Sequence, residues 1–219
     1  MIDPADVADR VEALRQEVRD RAGHDVALIA VTKSFGCDAI QAAASAGCDG
    51  IGENYAQELL EKTEAGCIDL PVHFIGALQS NKIRQIAPFV SLWQSIDRSS
   101  LIDELARRAP GAQVLLQVNT TGEGSKSGVV PGEVEALHSH ALRAGLVVQG
   151  VMTIGPTAGD HASRLSAFRQ LRQIADSLGV SICSMGMSED YREALDCGST
   201  MLRIGSALFG PRGALRKTP

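Results

Sequence analysis

The chain has no Cys-x-x-Cys pair, no basic stripe, no long apolar run and no low-complexity linker, and each absence closes off a class of function. Its five cysteines, Cys37, Cys48, Cys67, Cys183 and Cys197, are odd in number and scattered. That argues against a disulfide framework and a zinc site, and implies a reducing compartment. Lys and Arg total 21 against 26 Asp and Glu, giving a formal net charge of -5, and no segment concentrates the positive charge. The attraction that dominates nucleic-acid binding therefore has no source, and no nucleic-acid partner is expected. No apolar stretch approaches the ~20 residues a bilayer span needs. The opening MIDPADVADRVEALRQEV is charged and amphipathic where a signal peptide is apolar. A cytoplasmic protein without a membrane partner is the expectation.

What remains is the composition of an ordinary globular protein, 219 residues with 44% hydrophobic and 21% charged side chains. The length suits one domain over residues 1–219, large enough to enclose a ligand pocket. Asp3 before Pro4 is a helix-opening signal, and Val7, Val11, Leu14 and Val18 recur at helical spacing, so a first helix spans residues 4 to about 21 and stops at Gly23. Short apolar runs then alternate with longer helical patterns, the signature of βα units and a parallel sheet. The strand candidates are Ala27 to Thr32, Gly50 to Gly52, Val72 to Ile75, Val90 to Gln94, Gln113 to Val118, Val147 to Met152, Val180 to Ser184 and Met201 to Ile204. Helical patterns follow nearly every one, at 38–46, 55–62, 82–87, 99–108, 132–144, 161–178, 189–195 and 206–208. Eight such units predict an α/β fold, a single (βα)8 TIM barrel with an extra N-terminal helix, leaner than the usual ~250 residues. A doubly wound open sheet has the same strand count and is the structural alternative.

In such barrels the working residues sit at the C-terminal ends of strands. Lys33 ends the first strand, and alternation puts it on one face with Ile29 and Val31, hence toward the barrel axis if those two fill the interior. A lone strand-end lysine is usually just solvated. One walled by apolar residues and held as the unprotonated amine attacks aldehydes, which supports a Schiff-base lysine without identifying its carbonyl partner. The seventh and eighth loops carry Ser184, Gly186, Gly205 and Ser206, small residues where barrels build phosphate sites from backbone N–H groups. Ser188 reads equally as the cap of the following helix, where Glu189 and Asp190 disfavour an anion. Phosphate is therefore placed on the other four. Arg203 lies in an apolar strand and must find a partner, a structural ion pair being the plain alternative to a ligand. His73, Tyr55 and Met152 read as well as packing residues as functional ones.

Six segments together carry a resemblance: AVTK at 30–33, GENYAQE at 52–58, HFIGALQSNK at 73–82, SKSG at 125–128, SMGMSED at 184–190 and RIGSALFGPR at 203–212. In this order they resemble the pyridoxal phosphate homeostasis family, the YggS/PROSC-like proteins, over nearly the whole chain; any one alone is weak. The resemblance implies a barrel like the N-terminal domain of alanine racemase. It implies pyridoxal 5′-phosphate as cofactor, held as a Schiff base on Lys33 with Arg203 facing the pyridine nitrogen. Phosphate contacts are implied from Ser184 to Gly186 and from Gly205 and Ser206, with Asn54 and Met152 near the ring. Lys126 of SKSG matches a second family lysine. The proline that often follows the Schiff-base lysine in this family is absent here, where Ser34-Phe35-Gly36 follows, so the shape of the first loop is the point of departure.

An arginine keeps the pyridine nitrogen unprotonated and weakens the ring as an electron sink. Racemases of this fold share that arginine but take a second base, a tyrosine, from outside the barrel. Neither Tyr55 nor Tyr191 matches it, and the chain stops soon after the eighth strand. The expectation is a non-enzymatic carrier that stores pyridoxal phosphate, passes it to apo-forms of enzymes that use it, and is a monomer. A minimal amino-acid racemase is the runner-up, and a Schiff-base aldolase on a phosphorylated sugar shares the lysine and phosphate loops.

Overall fold

In the computed structural model, which describes residues 2–210, the short apolar runs are strands that pair in sequence order into a closed, parallel barrel. They are β1 (Ala27–Val31), β2 (Gly50–Glu53), β3 (Val72–Phe74), β4 (Leu92–Ile96), β5 (Gln113–Gln117), β6 (Val147–Met152), β7 (Ile182–Ser184) and β8 (Met201–Ile204). β8 returns to β1, with Ile29 opposite Arg203, so the open sheet is excluded. The helices are α1 (Pro4–Ala22), α2 (Cys37–Ser45), α3 (Ala56–Glu64), α4 (Ser80–Ile86), α5 (Ser99–Arg108), α6 (Val134–Arg143), α7 (His161–Leu178), α8 (Tyr191–Asp196) and α9 (Ser206–Phe209). α1 precedes the first strand. The Asp3 side chain caps it by accepting from the Ala5 N–H, Gly23 ends it with φ 65°, and Val7, Val11 and Leu14 form its buried stripe. That stripe packs α1 against α2, α8 and α9.

Strand alternation sorts the apolar residues into two cores. Ile29, Leu92, Leu115, Met152 and Met201 meet inside the barrel. Leu28, Ala30, Ile51, Phe74, Leu116 and Ile204 join the larger cluster shared with the helices. A Cβ at Gly52 would stand 2.9 Å from Ile75 Cδ1 and 3.5 Å from both Ile29 and Val31, so β2 carries glycine where its neighbours fill the interior. Ile29 and Val31 thus face inward, as the alternation through Lys33 required.

Four expectations are corrected. β4 begins at Leu92 and β7 at Ile182, each two residues later than its apolar run suggested, because a 3-10 turn over Ala87–Phe89 takes Val90 as its exit and the Val180 N–H donates back to the Ala175 carbonyl of α7. Ser188 does not cap the next helix: α8 starts at Tyr191, and the Ser188 hydroxyl accepts from the Ala207 N–H at 3.1 Å. Cys37 and Cys67 are joined in a disulfide, their Cα atoms 5.6 Å apart across 30 residues of sequence. Spacing alone conceals this pair, because the start of α2 and the chain beyond α3 become neighbours only when β1 and β2 pair. Cys48, Cys183 and Cys197 are free and buried. No helix among the described residues is long and apolar enough to cross a membrane. Pro211 and Arg212, which end the RIGSALFGPR segment, lie outside the described residues.

Candidate functional site

The C-terminal ends of the strands open onto a cavity of ≈ 370 Å³ whose wall includes Lys33, Arg203, Ser188, Gly205 and Ser206. Lys33 follows β1 in a tight turn, closed by a 3.0 Å bond from the Phe35 N–H to the Thr32 carbonyl. Ser34 adopts φ 64°, the one positive φ at a non-glycine position among the described residues. A turn of the type II kind demands that geometry at its third residue.

Arg203, inward on β8 and only 3% exposed, forms the base of the cavity. Its Nη1 donates to Ser184 Oγ and its Nη2 to the Thr153 carbonyl, both at 2.7 Å. No carboxylate among the described residues stands within ion-pair distance, so the plain structural salt bridge is not what buries it. Burial draws its pKa down to about 10, opposed by the nearby Asp190, which leaves a cation at neutral pH with neutral partners. A buried charge so placed retains N–H donors for a ligand.

Behind it runs a chain of neutral groups across the barrel. Ser184 Oγ donates to Gln94 Oε1 at 2.8 Å, and Gln94 Nε2 lies 2.8 Å from His73 Nδ1 and 3.2 Å from Met201 Sδ. Burial pushes the His73 pKa down to about 4, so the ring is neutral and its Nδ1 accepts from the amide.

The expected residues separate into two sets. Lys33, Arg203, Gly205 and Ser206 share the cavity. Ser184 is fully buried beneath Arg203, its hydroxyl committed to Arg203 and Gln94. Gly186 has φ 95°, and a Cβ there would stand 2.7 Å from Ala194 Cβ and 2.8 Å from Leu202 Cδ2, so its glycine is demanded by close packing against α8. Met152 sits in the inner core below the site. Asn54 lines an adjacent rim cavity with Tyr55, Phe74 and Gln79, and its Oδ1 is buried without a hydrogen-bond partner.

Lys126 does not line the cavity but braces its wall. Its Nζ donates to the Gly155 carbonyl and pairs with Glu123 at 3.1 Å, while Glu123 accepts from both the N–H and the hydroxyl of Thr157. Asp190 accepts from the Met187 N–H at 2.6 Å and so fixes the seventh loop, and burial raises its pKa. The roles of Gln94, Thr153 and Asp190 were not foreseen, although Thr153 ends the sixth strand and Gln94 is a polar residue inside an apolar strand.

A family model described as the N-terminal domain of alanine racemase matches residues 2–213. The pyridoxal phosphate homeostasis protein of Pseudomonas aeruginosa is 40% identical over 215 residues, covering 93% of each chain. PipY of Synechococcus elongatus, solved with PLP bound, superposes with a TM-score of 0.80 at 31% identity, over 93% of this chain and 100% of that one. Alanine racemase from Corynebacterium glutamicum, at 19% identity, shares the fold with a TM-score of 0.76, over 99% of this chain and 63% of the racemase.

Proposed function

The chain belongs to the pyridoxal phosphate homeostasis family, with its alanine racemase N-terminal-type barrel, and from that premise we propose that it holds pyridoxal 5′-phosphate as a Schiff base on Lys33 without turning over a substrate. The observation that carries the reading is that Arg203, buried with neutral partners only, and Lys33 line one cavity. The cofactor has both features this pair would recognise, an aldehyde for the amine and an anionic, ring-nitrogen-bearing body for the guanidinium.

The residues present fit the group. Gly205 and Ser206 from the eighth loop, with Ser188 hydrogen-bonded to the Ala207 N–H, supply small side chains and backbone N–H groups for a phosphate. Behind the cavity, Ser184 would aim Arg203 at the ring nitrogen and Gly186 would shape the seventh loop. Asn54, whose orphaned Oδ1 lies at the adjoining rim cavity, and Met152, in the inner core below, would flank the ring. When bound, the cofactor would supply an electron sink, and Arg203 facing its ring nitrogen would oppose the protonation that makes the sink effective.

The reading without turnover is supported by where the two tyrosines stand. The Tyr191 hydroxyl is tied to Glu17 at 2.7 Å between α8 and α1, and Tyr55 is 57% exposed on the outer rim. Neither lines the Lys33 cavity. The rest of the proposal is a single-domain, monomeric, cytoplasmic carrier that stores the cofactor and releases it to apo-enzymes. Absorption spectra of purified protein before and after borohydride reduction test the cofactor reading, and the visible band is expected to vanish in Lys33→Ala. Chirality-resolved assays with alanine and serine test the absence of turnover. Racemisation at ordinary enzymatic rates would make the protein a racemase instead.

A further inference from the structure

Behind the β1 turn, on the helix side of the barrel wall, lies a buried cluster of charge that the cavity does not contain. Lys62 on α3 is 5% exposed and Glu53 at the end of β2 is fully buried. Lys62 Nζ donates to Glu53 Oε1 at 2.6 Å, to Glu58 Oε1 at 2.8 Å and to the Thr32 carbonyl at 2.8 Å. Glu58 Oε1 accepts from the Ser34 N–H at 2.6 Å, and Glu53 Oε1 accepts from the Thr32 hydroxyl at 2.6 Å.

The two backbone contacts flank one residue. Lys62 holds the carbonyl that precedes Lys33, and Glu58 holds the N–H that follows it. Both peptide groups that set the direction of the Lys33 side chain are thus gripped by charged partners one helical turn apart. Buried ion pairs are poor devices for stability, since desolvation offsets most of their attraction. Their use is better sought in geometry. The gripped turn is also the one with a serine at φ 64°, where glycine would lie without strain and serine must be held.

We propose that Glu58 and Lys62 are positioning residues for Lys33, fixing the turn so that its amine is presented to the cavity. The inference rests on the reading of Lys33 as the Schiff-base lysine. It also accounts for the two carboxylates of the GENYAQE segment, since Glu53 and Glu58 act on the lysine from outside the barrel while the intervening Asn54 lies on the rim.

The test compares Glu58→Ala, Glu58→Gln and the double variant Glu58→Ala with Ser34→Gly in cofactor-free, full-length protein. Each is titrated with pyridoxal 5′-phosphate, read by the visible band, and measured for hydrogen exchange over the peptide 30–37. Glu58→Ala is expected to weaken apparent affinity about tenfold, the worth of one charge-assisted hydrogen bond, and to speed exchange at Ser34. Glu58→Gln keeps an acceptor and should stay within about threefold of the parent. The added glycine should recover most of the loss, because it adopts the turn unaided. Wild-type affinity and exchange in Glu58→Ala overturn the proposal, as does equal damage from Glu58→Gln or no recovery with glycine. If Lys33→Ala keeps the visible band, the Schiff-base reading itself fails; if it loses the band while Glu58→Ala matches the parent, only the positioning role fails.

Discussion

Arg203 donates to Ser184 at 2.7 Å, and Ser184 donates onward to Gln94 at 2.8 Å, so the cation at the base of the cavity is aimed by a neutral side-chain relay and not by a carboxylate. Removing the middle of this relay leaves a buried guanidinium N–H and a buried amide oxygen without partners. Ser184→Ala is therefore expected to lower folding stability by about 1–3 kcal/mol and to weaken pyridoxal phosphate binding. Urea denaturation and spectroscopic titration check both. A stability change within about 0.5 kcal/mol would show that the relay is idle.

His73 predicts an acid limb in the stability profile. Its pKa falls from 6.5 to about 4 on burial, so between those values the unfolded chain binds a proton that the folded chain does not. The contribution is fully present above pH 6.5 and is lost as pH falls toward 4, amounting to about 3 kcal/mol at the lower end. Urea midpoints at pH 7 and pH 4.5 measure it, and His73→Gln should flatten that part of the difference. An unchanged pH dependence in the variant would show that His73 plays no part in the acid limb.

Gly186 is constrained twice, by φ 95° and by Ala194 and Leu202 beneath 3 Å of any added Cβ. Gly186→Ala is expected to cost about 2–4 kcal/mol through backbone strain and overpacking. Thermal denaturation reads it directly. The same experiment on Gly124, where a Cβ meets nothing within 4 Å and φ is not positive, should show little change.

The Cys37–Cys67 link closes a loop of 30 residues that contains α2, β2 and α3. Its reduction, or Cys37→Ser, is expected to lower stability by about 3–4 kcal/mol. Denaturation with and without a thiol reductant checks this, the Cys37→Ser variant being the insensitive control.

The barrel was legible because its strands are short apolar runs of fixed parity: Ile29, Val31 and Lys33 fall on one face by counting alone. β4 slipped by two residues because Val90 is as apolar as a strand residue, and only Pro88 in the preceding turn hinted that it connects. At the site, Lys33, Arg203, Gly205 and Ser206 meet in one cavity, while Ser184 and Gly186 act beneath and beside it. The sequence reports which residues end a strand, not whether a hydroxyl is already engaged by its neighbour. Lys62 was invisible for a different reason. A lysine on an amphipathic helix defaults to solvent, and nothing in AQELLEKTE reveals that β1 and β2 bring Thr32 and Glu53 to its amine.

The covalent linkage is tested most directly by incubating the protein with pyridoxal 5′-phosphate, reducing with borohydride, and mapping the modified peptide by mass spectrometry. One adduct, on Lys33, is predicted, with none in Lys33→Ala. An adduct spread over surface lysines, or a single one on Lys126 or Lys62, would contradict the account.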